Sequence, residues 1–363
     1  MRFTSVALLS LLLTACTANP LTNSEVQSVN TWAITGFEKA DSINPVLHPS
    51  ENQSFKCPVS GVQVKWEERN VLNPAAIVKD GRVYLIFRAQ DNAMTSRLGL
   101  AVSGDGLHFT KEPEPVFYPD NDSMRIYEWK GGVEDPRIIE SEDGSFIMTY
   151  TAYDGKTARL CLATSKDLHK WTKHGLVLKD LKYRNLWSKS GAIVAKIVNG
   201  RVVATKIAGK FWMYFGDTDL FMANSDDLIN WSAVENPESG KMISVLHPRP
   251  GYFDSRLVEP GPYALLRDDG ILLIYNSSNA SGNNDPSLPA FTYSAGQALF
   301  DLNYPYKLID RTDTYFIKPD KPYEITGEVN NVCFVEGMVL FKNKWLLYYG
   351  TADSKIAVAA REQ

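Results

Sequence analysis

The segment Asp143-Gly144-Ser145-Phe146-Ile147-Met148-Thr149-Tyr150 gives the strongest indication of the fold, because its tight turn and aromatic strand occur five times along the chain. Asp-Gly and Asn-Gly pairs suit the positive φ angles of two-residue hairpin turns, so each copy predicts strand, turn, strand. The aromatic strands are residues 83–87, 146–150, 211–215, 271–275 and 345–349. The turns before them are Asp80-Gly81, Asp143-Gly144, Asn199-Gly200, Asp269-Gly270 and, degenerate, Asn343-Lys344.

A second unit follows the aromatic strand in three of the five copies, at residues 100–109, 162–171 and 222–231. A period of about 60 residues that carries roughly four short strands is typical of a propeller blade. The sequence therefore predicts an all-β, five-bladed β-propeller that occupies residues 31–363 as one domain, with residues 356–360 as the last strand of the ring. The alternative is a β-sandwich with accidental spacing, but a sandwich has no reason to repeat one turn and one strand five times.

Composition narrows the function. The 363 residues carry a formal net charge of −4, and Lys/Arg runs are short, so the chain lacks the basic footprint of a nucleic-acid-binding protein. Five scattered His residues argue against a His-based metal site, and we expect neither a metal nor another cofactor. The 8 Trp, 17 Tyr and 16 Phe residues favour β structure and stacking surfaces. The sequence does not indicate an oligomeric state.

The first residues resemble a targeting signal. A charged start, an apolar run and the segment Leu13-Thr14-Ala15-Cys16 predict a signal peptide over residues 1–15. The segment resembles a bacterial lipobox, which implies lipidation of Cys16, a polar tether over residues 16–30, and membrane contact through the lipid anchor only. We therefore expect a lipid-anchored protein of the bacterial cell envelope, in the periplasm or at the cell surface. An ordinary signal peptide with a chance Cys is the alternative.

Polar residues open the predicted innermost strand of every blade. Because those strands line a shared channel, their side chains should converge on one site. Pro follows three of these residues and is expected to hold the residue before it extended. The alternative is that they are solvated strand ends. The positions are Asn73, Glu134-Asp135, Lys189, Glu259 and Asn330-Asn331.

Convergent carboxylates, without a Ser-His pair or a Gly-rich phosphate loop, favour acid/base chemistry on an uncharged substrate. Glycoside cleavage needs one carboxylic acid to protonate the leaving oxygen, and a second carboxylate or an external nucleophile at the anomeric carbon. Glu134 and Asp135 are adjacent on a strand, so their side chains should face opposite sides. Only one can then aim at the bond, while the other, with Arg137, orients or pairs.

These residues resemble glycoside hydrolase family 130, five-bladed propellers that act on β-mannosides. The resemblance implies that Asp135 is the general acid of an inverting reaction, acting in the phosphorylases of the family through a sugar hydroxyl. It also implies that Asn73, Arg88, Asp91 and Asp353 hold the mannose, and Glu134 and Lys189 complete the expected substrate-binding set. The motifs are Asn73-Pro74-Ala75-Ala76-Ile77, Arg88, Gly132-Val133-Glu134-Asp135-Pro136-Arg137, the Ala-x-Ser-x-Asp-Leu-x-x-Trp units, Tyr323-Glu324-Ile325-Thr326-Gly327 and Tyr348-Tyr349-Gly350-Thr351-Ala352-Asp353.

The family divides into phosphorylases and hydrolases, and charge should separate them, because phosphorolysis needs a basic cluster for phosphate. Blades three and four instead carry acids, including Asp217 and Glu259. The chain thus resembles the hydrolase branch, which implies an inverting exo-β-mannosidase for β-1,2 linkages, with Glu259 as base and Asp217 as second candidate. Lys189 and Arg256 keep a β-mannoside phosphorylase open.

A third possibility is a non-catalytic glycan-binding lipoprotein, which would keep the aromatic residues but would not need Asp135. In every reading the partner is a mannose-containing oligosaccharide or glycan. Tyr127, Trp129 and Tyr252 are the aromatic residues that we expect near the site.

Overall fold

The computed structural model describes residue 1 and residues 30–363, so the predicted signal peptide, Cys16 and nearly all of the tether lie outside the described residues. Trp32–Gln363 form one compact unit. Within it, α-helix is limited to α1 (Arg125–Glu128) and α2 (Pro322–Ile325), and the remaining regular structure is β. In residues 30–363 there is no helix with the length and apolarity needed to cross a membrane.

The strands pair into five successive antiparallel groups, and the first strand of the described chain pairs with the last of these groups. The short strands β1 (Glu38–Lys39), β2 (Phe55–Lys56) and β3 (Gln63–Val64) come before the first group. The first group contains β4 (Asn70–Lys79), β5 (Arg82–Gln90), β6 (Ser96–Ser103) and β7 (Thr110–Lys111). The second contains β8 (Gly132–Glu140), β9 (Phe146–Tyr153), β10 (Ala158–Ser165) and β11 (Trp171–Leu176).

The later groups repeat this order with shorter or broken inner strands. The third contains β12 (Ala192–Val198), β13 (Arg201–Ala204), β14 (Phe211–Phe215), β15 (Phe221–Ser225) and β16 (Trp231–Ala233). The fourth contains β17 (Leu257–Pro260), β18 (Ala264–Arg267), β19 (Gly270–Ser278), β20 (Tyr293–Phe300) and β21 (Leu308–Arg311). The fifth contains β22 (Cys333–Phe341), β23 (Lys344–Thr351) and β24 (Lys355–Glu362).

Two kinds of pairing connect the groups. Strand β1 pairs antiparallel with β24, so the start of the compact unit completes its last sheet. Parallel pairs join each group to the next at Ser96↔Gly132, Val203↔Glu140, Val194↔Ala264 and Tyr293↔Val332. The structure is therefore all-β, with antiparallel groups of strands arranged in chain order.

Two of the predicted hairpin turns lie where expected, and two lie one residue earlier, at Asp268-Asp269 and at Lys342-Asn343. The turn around Asp143-Gly144 is longer and spans residues 141–145. Asp80 and Gly81 have φ angles of 49° and 69°, and Asn199 and Gly200 have 52° and 79°, as two-residue hairpins require. The degenerate turn lies one residue earlier than expected, at Lys342 and Asn343, because β23 already begins at Lys344. Non-Gly residues thus adopt positive φ there, at a cost in backbone strain.

The second repeat unit forms a side-chain-capped turn. The hydroxyl of Ser165 accepts hydrogen bonds from the amides of Asp167 and Leu168, and the Asp167 carboxylate accepts from the next two amides. Trp171 then donates its indole N–H to the Leu168 carbonyl. Because these bonds satisfy backbone groups that leave the sheet, the Ser-x-Asp spacing recurs for structural reasons. The same turn occurs at Ser103-Asp105 and Ser225-Asp227.

The recurring aromatic residues at the ends of the aromatic strands do more than fill the core. All five are buried. Three of them are tyrosines whose hydroxyl donates a hydrogen bond to a buried carboxylate, and that carboxylate also forms an ion pair with a Lys or Arg. A hydrogen bond to a charged group contributes roughly 1.5–3 kcal/mol, more than a neutral one. The three pairs are Tyr150–Glu128, Tyr275–Asp254 and Tyr349–Glu324, with Lys173, Arg311 and Lys39 as the respective cations.

Candidate active site

Bulges in the first strand of three groups turn polar residues out of the sheet. The register of β4 shifts at Asn73, that of β8 at Asp135 and that of β22 at Glu336. Asn73 and Asp135 have φ angles of 46° and 47°, so the expectation that the following Pro holds them extended is wrong. The bulge takes each of them into the left-handed region, which costs energy and is typical of functional sites.

Arg88 on β5 joins the two adjacent acids of β8. Its Nη1 atom lies 3.0 Å from Asp135 Oδ1, and its Nη2 atom lies 2.6 Å from Glu134 Oε1. The expectation that these two side chains face opposite sides is therefore wrong, because the bulge breaks the alternation of the strand at this point. Ser96 donates to the same Glu134 oxygen, and Asn73 Nδ2 donates to Asp135 Oδ1 over 2.9 Å.

Lys189 connects Asp135 to the fourth group. Its Nζ atom lies 3.3 Å from Asp135 Oδ2 and 3.3 Å from Glu259 Oε1. The neighbouring Ser190 donates its hydroxyl to the same Glu259 oxygen. We call the set Arg88, Glu134, Asp135, Lys189 and Glu259 the central cluster. Its members come from the first, second and fourth groups and from the loop before the third, which are distant in sequence.

The charges in the central cluster set the protonation of its acids. Burial acts to raise the pKa of Asp135, but Arg88, Lys189 and Arg137, together with the Asn73 hydrogen bond, outweigh it and hold this pKa below its usual range. Burial raises the pKa of Glu134, and the nearby Asp135 charge adds to the effect despite Arg88. In the ligand-free chain Asp135 is therefore a carboxylate.

Two further carboxyl groups titrate close to neutrality. Burial and the Glu259 charge raise the pKa of Asp217 to about 6, against the opposing effect of Lys189. Burial and the Asp135 charge raise the pKa of Asp353 to about 6, although Arg88 opposes this. A pKa near the working pH is what proton transfer in catalysis requires, so both groups can gain or lose a proton there.

The structure therefore brings together most of the predicted site residues. Asn73, Arg88, Glu134, Asp135, Lys189 and Glu259 are in direct contact, and Asp217 and Asp353 interact electrostatically with members of the central cluster. Asp91 instead accepts hydrogen bonds from Thr95 and from Arg97, which lies 2.8 Å away, inside its own turn. Arg256 places its guanidinium over the ring of Phe291.

The blade-five prediction needs correction. Asn330 is exposed and Asn331 half-buried in the loop before β22, whereas the bulged residue of that strand is Glu336. Glu336 is buried, and its Oε1 atom lies 3.1 Å from Arg137 Nη1. Arg137 also donates to the backbone carbonyls of Asp135 and Pro260, so it connects the second and fourth groups next to the central cluster. The sequence pattern predicts a polar residue before the apolar run of the strand. In this strand the polar residue that the bulge turns outward lies inside the apolar run, so that pattern missed it.

The aromatic candidates also differ from expectation. Tyr127 and Trp129 are partly buried against the hydrophobic core, and Tyr252 lies under the guanidinium of Arg249. An aromatic residue that contacts a site acid is Trp187, whose indole N–H donates to Asp217 Oδ2 over 2.7 Å. It lies in a loop outside the repeat units, so the repeats gave no signal for it.

The arrangement suits proton transfer on an uncharged substrate. Several carboxylates with different pKa values surround a small number of cations, which allows one acid to donate a proton while another accepts one. Among residues 30–363, no group of three or more His, Cys, Asp or Glu side chains has the geometry to hold a metal ion.

Comparison with known proteins gives the family. The model of the glycoside hydrolase 130 family, described as beta-1,4-mannooligosaccharide phosphorylase, matches residues 38–363. A 1,2-beta-oligomannan phosphorylase of Thermoanaerobacter sp. (strain X514) is 32% identical over 332 residues, which cover 88% of this chain and 96% of the relative. A solved structure of a glycosyl hydrolase from Bacteroides ovatus is 46% identical with a TM-score of 0.89, covering 91% of this chain and 95% of the other.

A second solved structure comes from work stating that the GH130 family of mannoside phosphorylases contains glycoside hydrolases that target beta-1,2 mannosidic linkages in Candida mannan. It is 44% identical with a TM-score of 0.89, covering 92% of this chain and 95% of the other. These relatives match the chain across the compact unit that carries the central cluster. The chain belongs to glycoside hydrolase family 130 and is a glycoside-active enzyme.

Proposed function

We propose that the chain is an inverting exo-β-mannosidase that hydrolyses β-1,2-mannosidic linkages. The observation that carries this proposal is the charge of the site. Arg88 and Lys189 are already paired with Glu134, Asp135 and Glu259, and two further acids, Asp217 and Asp353, interact with them. Such an excess of negative charge repels a phosphate dianion and leaves water as the nucleophile. The related structure tied to β-1,2-mannosidases supports the linkage.

Asp135 is the proposed general acid. Because Arg88 and Lys189 keep it ionised in the ligand-free chain, its pKa must rise when substrate binds. A mannose that enters the central cluster excludes water from Asp135 and competes for its ion pairs, and both effects favour the protonated form. Its proton then passes through a hydroxyl of the sugar to the leaving oxygen. Asn73, Arg88, Glu134, Lys189 and Asp353 are proposed to bind this mannose, whereas the contacts of Asp91 inside its own turn do not support the same role for it.

The proposed base is one of two carboxylates. Glu259 and Asp135 lie on the same ammonium group, 3.3 Å from each, and this spacing is compatible with the lower end of the roughly 6.5–9.5 Å that accommodates a water in inversion. Asp217 is half-exposed, and its pKa is about 6. Glu259 is the proposed base, with Asp217 as the second candidate.

Variants with β-1,2-, β-1,3- and β-1,4-mannobiose test these roles. We expect free mannose from the β-1,2 substrate, near-complete loss of turnover in Asp135→Asn, and wild-type turnover in the exposed control Asp268→Asn. Glu259→Gln should lose turnover and regain it with azide, a nucleophile that needs no base, as α-mannosyl azide. Azide rescue of Asp217→Asn alone would move the base to Asp217. Binding without turnover in the wild type would favour a glycan-binding protein.

We also propose that the antiparallel groups are the blades of a five-bladed β-propeller. The β1–β24 pairing and the parallel pairs between successive groups support this, because a ring of blades needs both. A crystal structure with a single closed ring of five sheets is the expected result, and an open sandwich would contradict it.

The cell-envelope location remains a proposal based on the sequence. Cys16 is proposed to carry the lipid, so the expressed chain should fractionate with membranes and Cys16→Ala should appear in the soluble fraction. Membrane association that persists in Cys16→Ala would refute the lipid anchor.

A further inference from the structure

A groove of about 540 Å³ opens beside the central cluster. Leu186, Trp187 and Ser188 form one wall, and residues 216–219 form another. Its volume lies in the range of roughly 300–1,000 Å³ that is typical of small-molecule sites. Asp217 belongs to both places, because it lines the groove and interacts electrostatically with Lys189 and Glu259.

The backbone of the second wall is fastened to the residues that carry the cluster. The amide of Gly216 donates to the Lys189 carbonyl over 2.9 Å. Thr218 forms a β-bridge with Val258, the residue before Glu259. The position of the groove relative to Lys189 and Glu259 is therefore fixed by main-chain hydrogen bonds.

Trp187 presents an uncovered aromatic surface in this groove. It is 53% exposed, although its indole N–H is already bound by Asp217 and its ring meets Tyr153 edge-on, with centroids 6.3 Å apart. An aromatic ring that is held in place and remains exposed can bury the apolar face of a ligand at little cost in conformational entropy. The fixed orientation of the ring points to a binding role for this side chain.

We propose that this groove binds the leaving-group side of the glycan, with Trp187 as the platform for the sugar that follows the cleaved bond. The inference rests on the proposed function. An exo-acting enzyme holds the terminal mannose in the central cluster, so the rest of the glycan must extend out of the cluster over neighbouring residues. Asp217 belongs to both the cluster's surroundings and the groove, so the groove is the place where we expect the next sugar. Asp217 and Asp219 accept hydrogen bonds from hydroxyl groups and repel anions, which selects a neutral mannosyl chain.

Calorimetric titration of the Asp135→Asn chain with mannose and with β-1,2-mannotriose tests the groove. We expect Trp187→Ala, added to that chain, to lower the ratio of mannotriose to mannose affinity at least about tenfold, and Trp187→Phe to retain more of it. Leu181→Ala is the matched control, because Leu181 is 80% exposed on the same loop and should leave the ratio unchanged.

An unchanged ratio in Trp187→Ala would overturn the inference while leaving the proposed function intact. Failure of the wild-type chain to release mannose from any β-mannoside would instead defeat the proposed function. The two results are separate, since one measures the binding of a longer chain and the other measures turnover. Circular dichroism of each variant confirms that the fold is retained.

Discussion

Replacement of Arg88 by Met removes the cation that joins Glu134 to Asp135. Arg88 lies 2.6 Å and 3.0 Å from these carboxylates, and the side chains of the three residues are 15%, 11% and 2% exposed. Removing one partner of a buried ion pair costs about 3–5 kcal/mol, because the remaining charge stays buried. Lys189 and Ser96 still contact the two acids, so we expect the lower end, about 3 kcal/mol at pH 7.

The loss of stability in Arg88→Met should depend on pH. The folded-state pKa of Glu134 already lies above its unfolded value, and without Arg88 it rises further, while that of Asp135 rises as well. The loss of unfolding free energy is then complete at a pH above the folded-state pKa. It becomes smaller as the pH falls toward the unfolded-state pKa, because the folded state takes up the proton at a higher pH than the unfolded state does. The deficit of Arg88→Met should therefore shrink between pH 7 and pH 5.

Equilibrium urea unfolding at both pH values measures the deficit. Arg69→Met is the matched control, since Arg69 and Glu328 form an exposed pair with side chains 40% and 32% accessible. Such pairs contribute about 0–1 kcal/mol, so the control should lie close to the wild type. An Arg88→Met chain within about 1 kcal/mol of the wild type at pH 7, or a deficit that grows toward pH 5, would refute the reasoning.

Two other predictions concern single positions near the central cluster. The raised pKa of Asp217, about 6, costs stability in full above pH 6 and nothing below the unfolded value, so Asp217→Asn should raise the unfolding free energy by about 3 kcal/mol at pH 7, with most of the gain lost by pH 4 in urea titrations. A Cβ on Gly350 would lie 2.5 Å from Asn73 Oδ1, so Gly350→Ala should displace the side chain that binds Asp135 and lower kcat about tenfold or more. Gly104→Ala, with open space at its Cβ, should keep the wild-type kcat in the same mannose-release assay.

The repeats in the sequence predicted much of this structure because each has a local physical cause. The Ser-x-Asp turns and the hairpin turns at Asp80-Gly81 and Asn199-Gly200 are determined by neighbouring residues, and they appear where the sequence placed them. The turns before β19 and β23 lie one residue earlier than expected, and the turn before β9 is longer. The positions of Asn73, Asp135 and Glu259 followed from their place on the first strand of a group.

What the sequence could not predict depends on non-local geometry. The bulge at Asp135 turns it to the same guanidinium as Glu134, and the bulge at Glu336 puts a buried acid where Asn330 was expected. A strand pattern has a period of two and does not show where a ladder will slip. Trp187 meets Asp217 across 30 residues of chain, so only the folded structure reveals the contact.

If the charge of the site excludes phosphate, water is the nucleophile whether or not phosphate is present. Proton NMR of the first product from β-1,2-mannobiose, recorded with and without inorganic phosphate, distinguishes hydrolysis from phosphorolysis. We expect α-mannopyranose as the first-formed product, at the same rate in both buffers, since inversion of a β-mannoside by water gives the α anomer. Formation of mannose 1-phosphate, with turnover only when phosphate is present, would show that the chain is a phosphorylase.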